Sequence, residues 1–441
     1  MTWQEKFQNA LGLQRAGRLE AAERGYRAVI AANPRFAAAH HNLGTVLHRR
    51  GRFRQAIHAF ETCARLDPDL APSAHLGIGV ILTRTGEFAE AEVRLRAAIE
   101  GASTSPEPNR FLGDLMRTLG RMEDARQAYL AALRIHPDDA EARFGLASVR
   151  LALGEMPEAW DDYEFRKSKL GSAALQPVWN GEEIAGRTLL VHSEQGLGDA
   201  IQFLRYVPLL AARGARVLLA LRQEIMSLGA TVAGVDRIVE PSFTLPPFDF
   251  SCGLPSLPRL FRTTLANLPG EVPYLHAEPE RIDRWRRDLG ETGNLTVAIA
   301  WRGNPEHRND HRRSILNREV APLFDMANVR FLVLQKDDGD APAADNVVRL
   351  GALDLCDIAA VLTVADLTIS VDTVFCHLAG ALGRPVWTLL CTSPDWRWQP
   401  DGKATPWYPT MRLFRQPAPG DWTSVVRDVG RALEIRISEG T

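Results

Sequence analysis

Cysteine is scarce in this chain of 441 residues, and the five present, Cys63, Cys252, Cys356, Cys376 and Cys391, include no C-x-x-C pair. That scatter excludes a disulfide framework and a thiolate zinc site and reads as reduced, mostly buried thiols. No apolar run reaches the roughly 18 residues that a membrane helix needs. The opening residues Met1-Thr2-Trp3-Gln4-Glu5-Lys6 lack the apolar stretch of a secretory signal, so the expected location is cytoplasmic with no membrane span. An excess of charge is also missing: 52 Lys and Arg face 54 Asp and Glu, without a basic tract, which argues against a nucleic-acid partner. What remains is an ordinary globular composition, 45% hydrophobic and 24% charged, in a chain too long for a single core. Two or three domains are expected.

The first third carries an internal repeat. Gly17, Gly51, Gly86, Gly120 and Gly154 stand 34, 35, 34 and 34 residues apart. Upstream of each lies a small residue, Ala10, Gly44, Gly79, Gly113 or Ala147, as two closely packed helices require. Downstream come Ala22, Ala56, Ala91, Ala125 and Ala159, and then Pro34, Pro68, Ser103, Pro137 and Gly171, where the second helix must stop. The period is that of tetratricopeptide helix hairpins. Apolar residues such as Ala56, Ile57, Phe60 and Ala64 fall at helical spacing, so each repeat presents a stripe that only its neighbours can cover. About five repeats over residues 1–170 would stack into a solenoid whose concave face receives a protein or peptide. His40, His41 and His48 read as surface or packing residues, since no carboxylate accompanies them in a ligand register.

After an ordered connector at Pro177-Val178-Trp179-Asn180-Gly181, the pattern changes from Arg187 to short apolar runs alternating with helical stretches, the signature of parallel sheets with crossover helices. Runs at Thr188–Val191, Arg216–Leu221 and Arg237–Val239 define a first α/β unit, with Ala200 to Leu210 read as one helix. Proline-rich stretches around Pro246, Pro247, Pro255 and Pro258 read as loops over that sheet. Leu295–Ala300, Phe331–Leu334, Leu367–Ser370 and Pro385–Leu390 define a second unit. Ligands of such sheets sit beyond the carboxyl ends of the strands.

Three segments at those ends carry chemistry. Glu194-Gln195-Gly196-Leu197-Gly198-Asp199 is a tight turn opening a helix, in which Asp199 serves either as a cap or as a base. It lacks the third glycine of a dinucleotide fingerprint. Trp301-Arg302-Gly303-Asn304, His311-Arg312-Arg313-Ser314 and Gln335-Lys336 place polar and cationic side chains after successive strands, as a diphosphate site demands. Ser370-Val371-Asp372-Thr373 then leads into a helix of small residues whose start suits a phosphate, with His377 on the face of Thr373.

In these residues the segment 177–437 resembles the GT-B glycosyltransferases related to the bacterial heptosyltransferase family. The whole chain resembles bacterial proteins that join tetratricopeptide repeats to such a domain. The matching residues are Gly198-Asp199, Arg312-Arg313-Ser314, Asp372-Thr373, His377-Leu378 and Arg384-Pro385. The later pattern Asp395-Trp396-Arg397-Trp398, Pro406-Trp407-Tyr408-Pro409 and Arg412-Leu413-Phe414-Arg415-Gln416 matches the repeat-fused group. Family lysines of the basic loop stand here as arginines.

The resemblance implies an α plus α/β chain: a repeat solenoid over 1–170, an acceptor-side Rossmann-like lobe over 171–285 and a donor-side lobe over 286–441. The last helix, from Trp422 to Ile437, would return to the first lobe. It implies inverting, metal-independent transfer of a sugar from a nucleotide-sugar donor to a protein acceptor, with flagellin or another surface protein as the leading class, and no cofactor. Asp199 would be the general base. Arg302, Asn304, Arg312, Arg313, Gln335, Lys336, Asp372, Thr373 and His377 would hold the donor, and Gln195, Gly196 and Gly198 would form the acceptor-side turn. Trp396, Trp398 and Trp407 would line the acceptor side or pack. The competing readings are a repeat adaptor on an inactive GT-B scaffold and a transferase acting on a lipid glycan or small molecule.

Overall fold

The computed structural model describes residues 1–101, 104–170, 175–240, 245–307, 309–335 and 344–439. It divides into two compact units, Met1–Val149 and Arg150–Thr441.

The first unit consists of helix hairpins: α1 (Trp3–Arg15), α2 (Leu19–Ala32), α3 (Ala37–Arg49), α4 (Phe53–Leu66), α5 (Ala71–Thr85), α6 (Phe88–Gly101), α7 (Glu107–Thr118), α8 (Met122–Ile135) and most of α9 (Ala140–Ala152). The repeating glycine ends the first helix of each hairpin because it accepts positive φ, 74° at Gly51 and 91° at the C-cap Gly86. Small residues upstream admit a bulky neighbour: a Cβ at Gly44 would lie 2.9 Å from the Phe60 ring, and one at Gly113 2.7 Å from that of Tyr129. Tyr26, Phe60, Ile78, Leu95 and Tyr129 form one continuous core, while Ile57 and Ala64 pack at its margin. Successive second helices are also tied by ions, Arg52 to Glu23 at 2.7 Å, Arg94 to Glu61 at 3.2 Å and Arg121 to Glu92 at 2.7 Å. The histidines make local contacts, His40 Nε2 with the Pro34 carbonyl at 2.9 Å and His41 Nε2 with Ser73 Oγ at 2.8 Å. α2, α4 and α8 stop before Pro34, Pro68 and Pro137, whereas Ser103 and Gly171 lie outside the described residues.

The second unit opens with α10 (Met156–Tyr163), a 3₁₀ turn at Glu164–Arg166 and α11 (Lys167–Leu170). Its first sheet contains β1 (Thr188–His192), β2 (Arg216–Ala220), β3 (Val235–Val239) and β4 (Phe250–Gly253), all parallel, in the order β3-β2-β1-β4. Its second contains β5 (Leu295–Ala300), β6 (Val329–Val333), β7 (Val347–Arg349), β8 (Leu367–Val371), β9 (Val386–Leu390) and β10 (Met411–Arg415), ordered β10-β9-β8-β5-β6-β7 and again parallel. Both sheets reverse strand order beside a central strand, β1 in one and β5 in the other. Such switch points leave a crevice at the carboxyl ends, into which the Glu194–Asp199, Trp301–Asn304 and Asp372–Thr373 segments run.

The helices of this unit are α12 (Leu197–Phe203), α13 (Val207–Ala212), α14 (Met226–Gly229), α15 (Leu257–Leu260), α16 (Pro279–Leu289), α17 (Asp310–Arg313), α18 (Asn317–Val320), α19 (Leu355–Val364), α20 (Val374–Ala381) and α21 (Trp422–Ser438). Three sequence expectations change. The helix expected from Ala200 to Leu210 is broken by a 3₁₀ turn at Leu204–Tyr206, because the ring of Pro208 would clash with the carbonyl four residues back. The proline-rich stretch expected as loop conceals β4, which pairs along β1 and needs only four residues between its prolines. Finally, α21 does not return to the first lobe. Trp422, Val425, Val426, Val429 and Leu433 join the core of the second sheet with Val297, Ile299 and Phe331. The short link from the edge strand β10 delivers the helix onto a face of its own sheet, and that face buries its apolar stripe.

Candidate crevice site

The turn after β1 is fastened from several sides. Arg166, from the 3₁₀ turn after α10, is buried and binds Glu194 at 2.7 Å, while its Nη2 also donates to Ser256 Oγ at 2.7 Å. Ser256 Oγ donates to Glu164, whose carboxyl resists the upward push of burial and stays below its ordinary range beside Arg166 and Lys167. The Tyr163 hydroxyl donates to Gln195 Oε1 at 3.2 Å. Gly196 caps α12 and its N–H donates to Asp199 Oδ2 at 3.0 Å. Gly198 presses on the second lobe: a Cβ there would lie 2.7 Å from His377 Cδ2. Asp199 thus caps its own helix, and its Oδ1 also accepts from Arg397 Nη2 at 2.6 Å, with the side chain 22% exposed.

The opposite wall is built at the ends of β5, β6 and β8. Gln335 Oε1 accepts from the N–H groups of Trp301 and Arg302 at 2.8 and 2.7 Å, so this side chain shapes the β5 exit. Gly303 N–H donates to Ser314 Oγ at 2.9 Å, and Ser314 donates to Asp310 Oδ2 at 2.8 Å. Asp310 also binds Arg313 Nε at 3.1 Å, and Arg313 Nη1 reaches across to the Asp372 carbonyl at 2.8 Å. The basic loop is thereby pinned to the start of α20. Asn304 is exposed and its Oδ1 accepts from Glu306 N–H, closing a local turn. Arg302 and Arg312 are half-buried, with Arg312 near enough to act on the Cys391 thiol. Lys336 lies outside the described residues.

Thr373 is the N-cap of α20 and accepts from Phe375 N–H at 3.4 Å, with Ser370 Oγ 3.0 Å away. His377 is 3% exposed, between Gly198, Tyr408 and Trp398. Its Nδ1 lies 2.9 Å from the Tyr408 hydroxyl and its Nε2 3.8 Å from Asp372. Burial first, then the cations Arg397, Arg205 and Arg313, hold the imidazole neutral, well below its usual range. It meets Asp372 and the wall of α12, with little surface of its own to offer a ligand.

Electrostatically the crevice is a group of carboxylates around one guanidinium. Arg397 binds Asp199 from the first lobe and Asp395 Oδ1 at 2.7 Å from the second. Burial and the nearby Asp199 lift the Asp372 carboxyl, against the pull of Trp398, Arg397 and Arg313. Asp395 is pushed up to about 6 by burial and by Asp372 and Asp199, with Arg397 pulling the other way. As 38% of the Asp395 side chain is open to solvent, water screens part of that lift. The indole Nε1 of Trp398 is buried without a partner in hydrogen-bonding geometry, yet lies close enough to Asp372 to lower its pKa.

Asp372, Cys376 and His377 bring three potential ligand atoms within 4.8 Å of one another. They fit a metal poorly. The Cys376 thiol donates to the Thr373 carbonyl and burial beside Asp372 keeps it protonated, while His377 Nδ1 is engaged by Tyr408.

Residue-level reading of the sequence assigned no role to Arg397, Gln202, Asp395, Tyr163 or Arg166. The available signal was a charged residue between two tryptophans in a loop after a strand, since an Arg flanked by Trp396 and Trp398 is placed for stacking and burial. Trp396, Trp398 and Trp407 are all buried and pack.

Comparison with known proteins matches both regions. The tetratricopeptide repeat model matches residues 7–53, 41–106 and 112–164. The glycosyltransferase family 9 (heptosyltransferase) model matches residues 338–415, a stretch that contains Asp372, Thr373, His377 and Arg397. The chain is 26% identical over 446 residues to Protein FlbA of Caulobacter vibrioides, covering 92% of this chain and 68% of that protein. It is 26% identical over 243 residues to Cellulose synthase 1 operon protein C of Komagataeibacter xylinus, covering 52% of this chain but 18% of that one. Among solved structures, MamA 41-end from Desulfovibrio magneticus RS-1 aligns at 17% identity over 38% of this chain and 96% of its own, with a TM-score of 0.34. The chain therefore joins a repeat module of the protein-interaction type to an α/β region that is family 9-like in sequence, with two parallel sheets consistent with GT-B Rossmann-like domains. Among the described residues no helix is long and apolar enough to cross a membrane.

Proposed function

We propose that the chain is a glycosyltransferase that moves a sugar from a nucleotide-sugar donor to a protein acceptor recruited by the repeats, by inverting, metal-independent transfer. The observation that supports it is the meeting of Asp199, at the switch point of the first sheet, with the Asp372–Thr373 helix start of the second, both within the electrostatic field of Arg397. A carboxylate on one wall accepts the proton of the acceptor hydroxyl as it attacks the anomeric carbon. On the other wall the start of α20 and the cations Arg302, Arg312 and Arg313 stabilise the departing diphosphate. Residues 1–170 would be the recruiting module, 171–285 the acceptor lobe and 286–441 the donor lobe. The acceptor class that the family resemblance favours is flagellin or another surface protein.

Calorimetry with UDP-, GDP-, ADP- and CMP-sugars tests the donor site directly. Asp199→Asn should keep donor affinity while transfer falls by about 100-fold or more, the share that a positioned base contributes. No binding across the panel would favour the inactive-scaffold reading, and near-normal turnover of the variant would remove Asp199 from the mechanism.

A further inference from the structure

The proposed mechanism needs Asp199 aimed, and its own helix supplies only one anchor, the Gly196 N–H on Oδ2. The second anchor comes from 198 residues away, where Arg397 follows the Asp395 N-cap of a 3₁₀ turn, Trp396–Trp398. Each nitrogen of this guanidinium has a partner. Nη2 donates to Asp199, Nη1 faces Asp395, Nε donates to Gln202 Oε1, and the plane lies over Trp396 at 4.7 Å from the ring centroid. Arg397 is 6% exposed and Gln202 fully buried, so the group has one available orientation.

The clamp carries an energetic penalty that packing alone does not require. Gln202 turns its carbonyl to Arg397 and leaves its Nε2 buried without a partner. An orphaned buried amide is destabilising, because it gives up its hydration and gains no partner. A leucine at that position would avoid the orphaned amide but leave Arg397 Nε without its acceptor. The residue is spent on holding a guanidinium, and the guanidinium is directed at one oxygen of Asp199.

We infer that Arg397 is the positioning residue for Asp199, fixing its carboxylate across the crevice from the donor wall through a clamp completed by Gln202 and Asp395. This rests on the proposed transferase reading, in which Asp199 is the base. Arg397 itself meets no substrate in this role. It sets the direction in which Asp199 presents its remaining lone pairs and ties that direction to the lobe that holds the donor.

Carbodiimide labelling of carboxylates with glycine ethyl ester, read by mass spectrometry on the peptide containing Asp199, tests the clamp without any need for turnover. Arg397→Gln in the full-length protein should raise the Asp199 labelling rate about fivefold, and Arg397→Lys should bring it back toward wild type, because a charge-assisted bond releases its acceptor when the charge is removed. A rate within twofold of wild type in folded Arg397→Gln overturns the inference. Should that variant fail to fold, Gln202→Leu removes a different anchor and is judged by the same criterion. Turnover adds a separate readout: with whichever UDP-, GDP-, ADP- or CMP-sugar binds, Arg397→Gln should lower kcat by about 100-fold with donor Kd changed less than about threefold. Equal losses in kcat and affinity would instead make Arg397 a donor ligand. If none of the sugars binds, the transferase reading fails while labelling still decides whether Arg397 holds Asp199.

Discussion

The two lobes pack closely where α12 meets α20, and one methyl group tests the contact. Gly198 sits at the second position of α12, where a Cβ would lie 2.7 Å from His377 Cδ2 and 3.2 Å from Nε2. The ring has no easy retreat. It is hydrogen-bonded to Tyr408, packed at a tilt against Trp398 with ring centroids 5.1 Å apart, and almost fully buried. Overpacking of this kind costs about 1–3 kcal/mol. Ala recovers up to about 1 kcal/mol of helix propensity in an interior position and less in a first turn. Gly198→Ala should therefore lose a net of about 1–2 kcal/mol, expressed at the α12–α20 seam.

Because a chain of two units need not unfold in one step, a single unfolding free energy is the wrong readout. Amide hydrogen exchange over 197–203 and 374–381 reports the seam locally. His377→Ala alone should loosen the same amides, since it empties the ring's space and removes one partner of the Tyr408 hydroxyl. Combining the two should be less harmful than their sum by about 0.5–3 kcal/mol, because the new methyl enters the space the ring leaves. Strictly additive protection losses, or a Gly198→Ala protein as protected as wild type, would refute a close approach of these helices.

Two further outcomes follow from buried charge. Arg166→Met should destabilise the second unit by about 3–5 kcal/mol in urea, because it strands Glu194 beside the Asp199 turn, and adding Glu194→Gln should recover much of that loss. His377 contributes stability that is complete above about pH 6.5 and falls as the pH drops toward its depressed folded value, since the unfolded chain then takes up the proton first. Asp395 and Asp372, whose carboxyls are lifted, act oppositely in the same range, so the readout is a difference: the gap between wild type and His377→Gln in the stability of the second unit, read from exchange of its amides, should narrow by about 1–2 kcal/mol from pH 7 to pH 5. A gap independent of pH would mean that His377 is not held neutral.

What the sequence made legible was local, and the physics explains the division. The repeat glycines announce themselves because a positive φ and a close helix crossing each demand one residue type at a fixed spacing, as at Gly51 and Gly44. β1, β5, β8 and β9 were legible because strands buried on both faces read as continuous apolar runs. β4 was not, since four residues flanked by proline leave no run to detect, and its strand character comes from pairing with β1. α21 showed its stripe plainly, yet a stripe says only that something covers it, and two sheets were available.

The crevice divides in the same way. Asp199, Asp372 and Thr373 could be singled out because each follows a strand and opens a helix, a context written within ten residues. Arg397 could not, because its importance lies in what it touches, Asp199 and Gln202, nearly two hundred positions earlier in the chain. A buried arginine differs from a solvated one only through such partners, for its guanidinium leaves water only where carboxylates and carbonyls replace the lost hydration. Asp199 and Arg397 thus define one feature between them, in which the sequence displays the acid and the fold supplies the cation that gives it a direction.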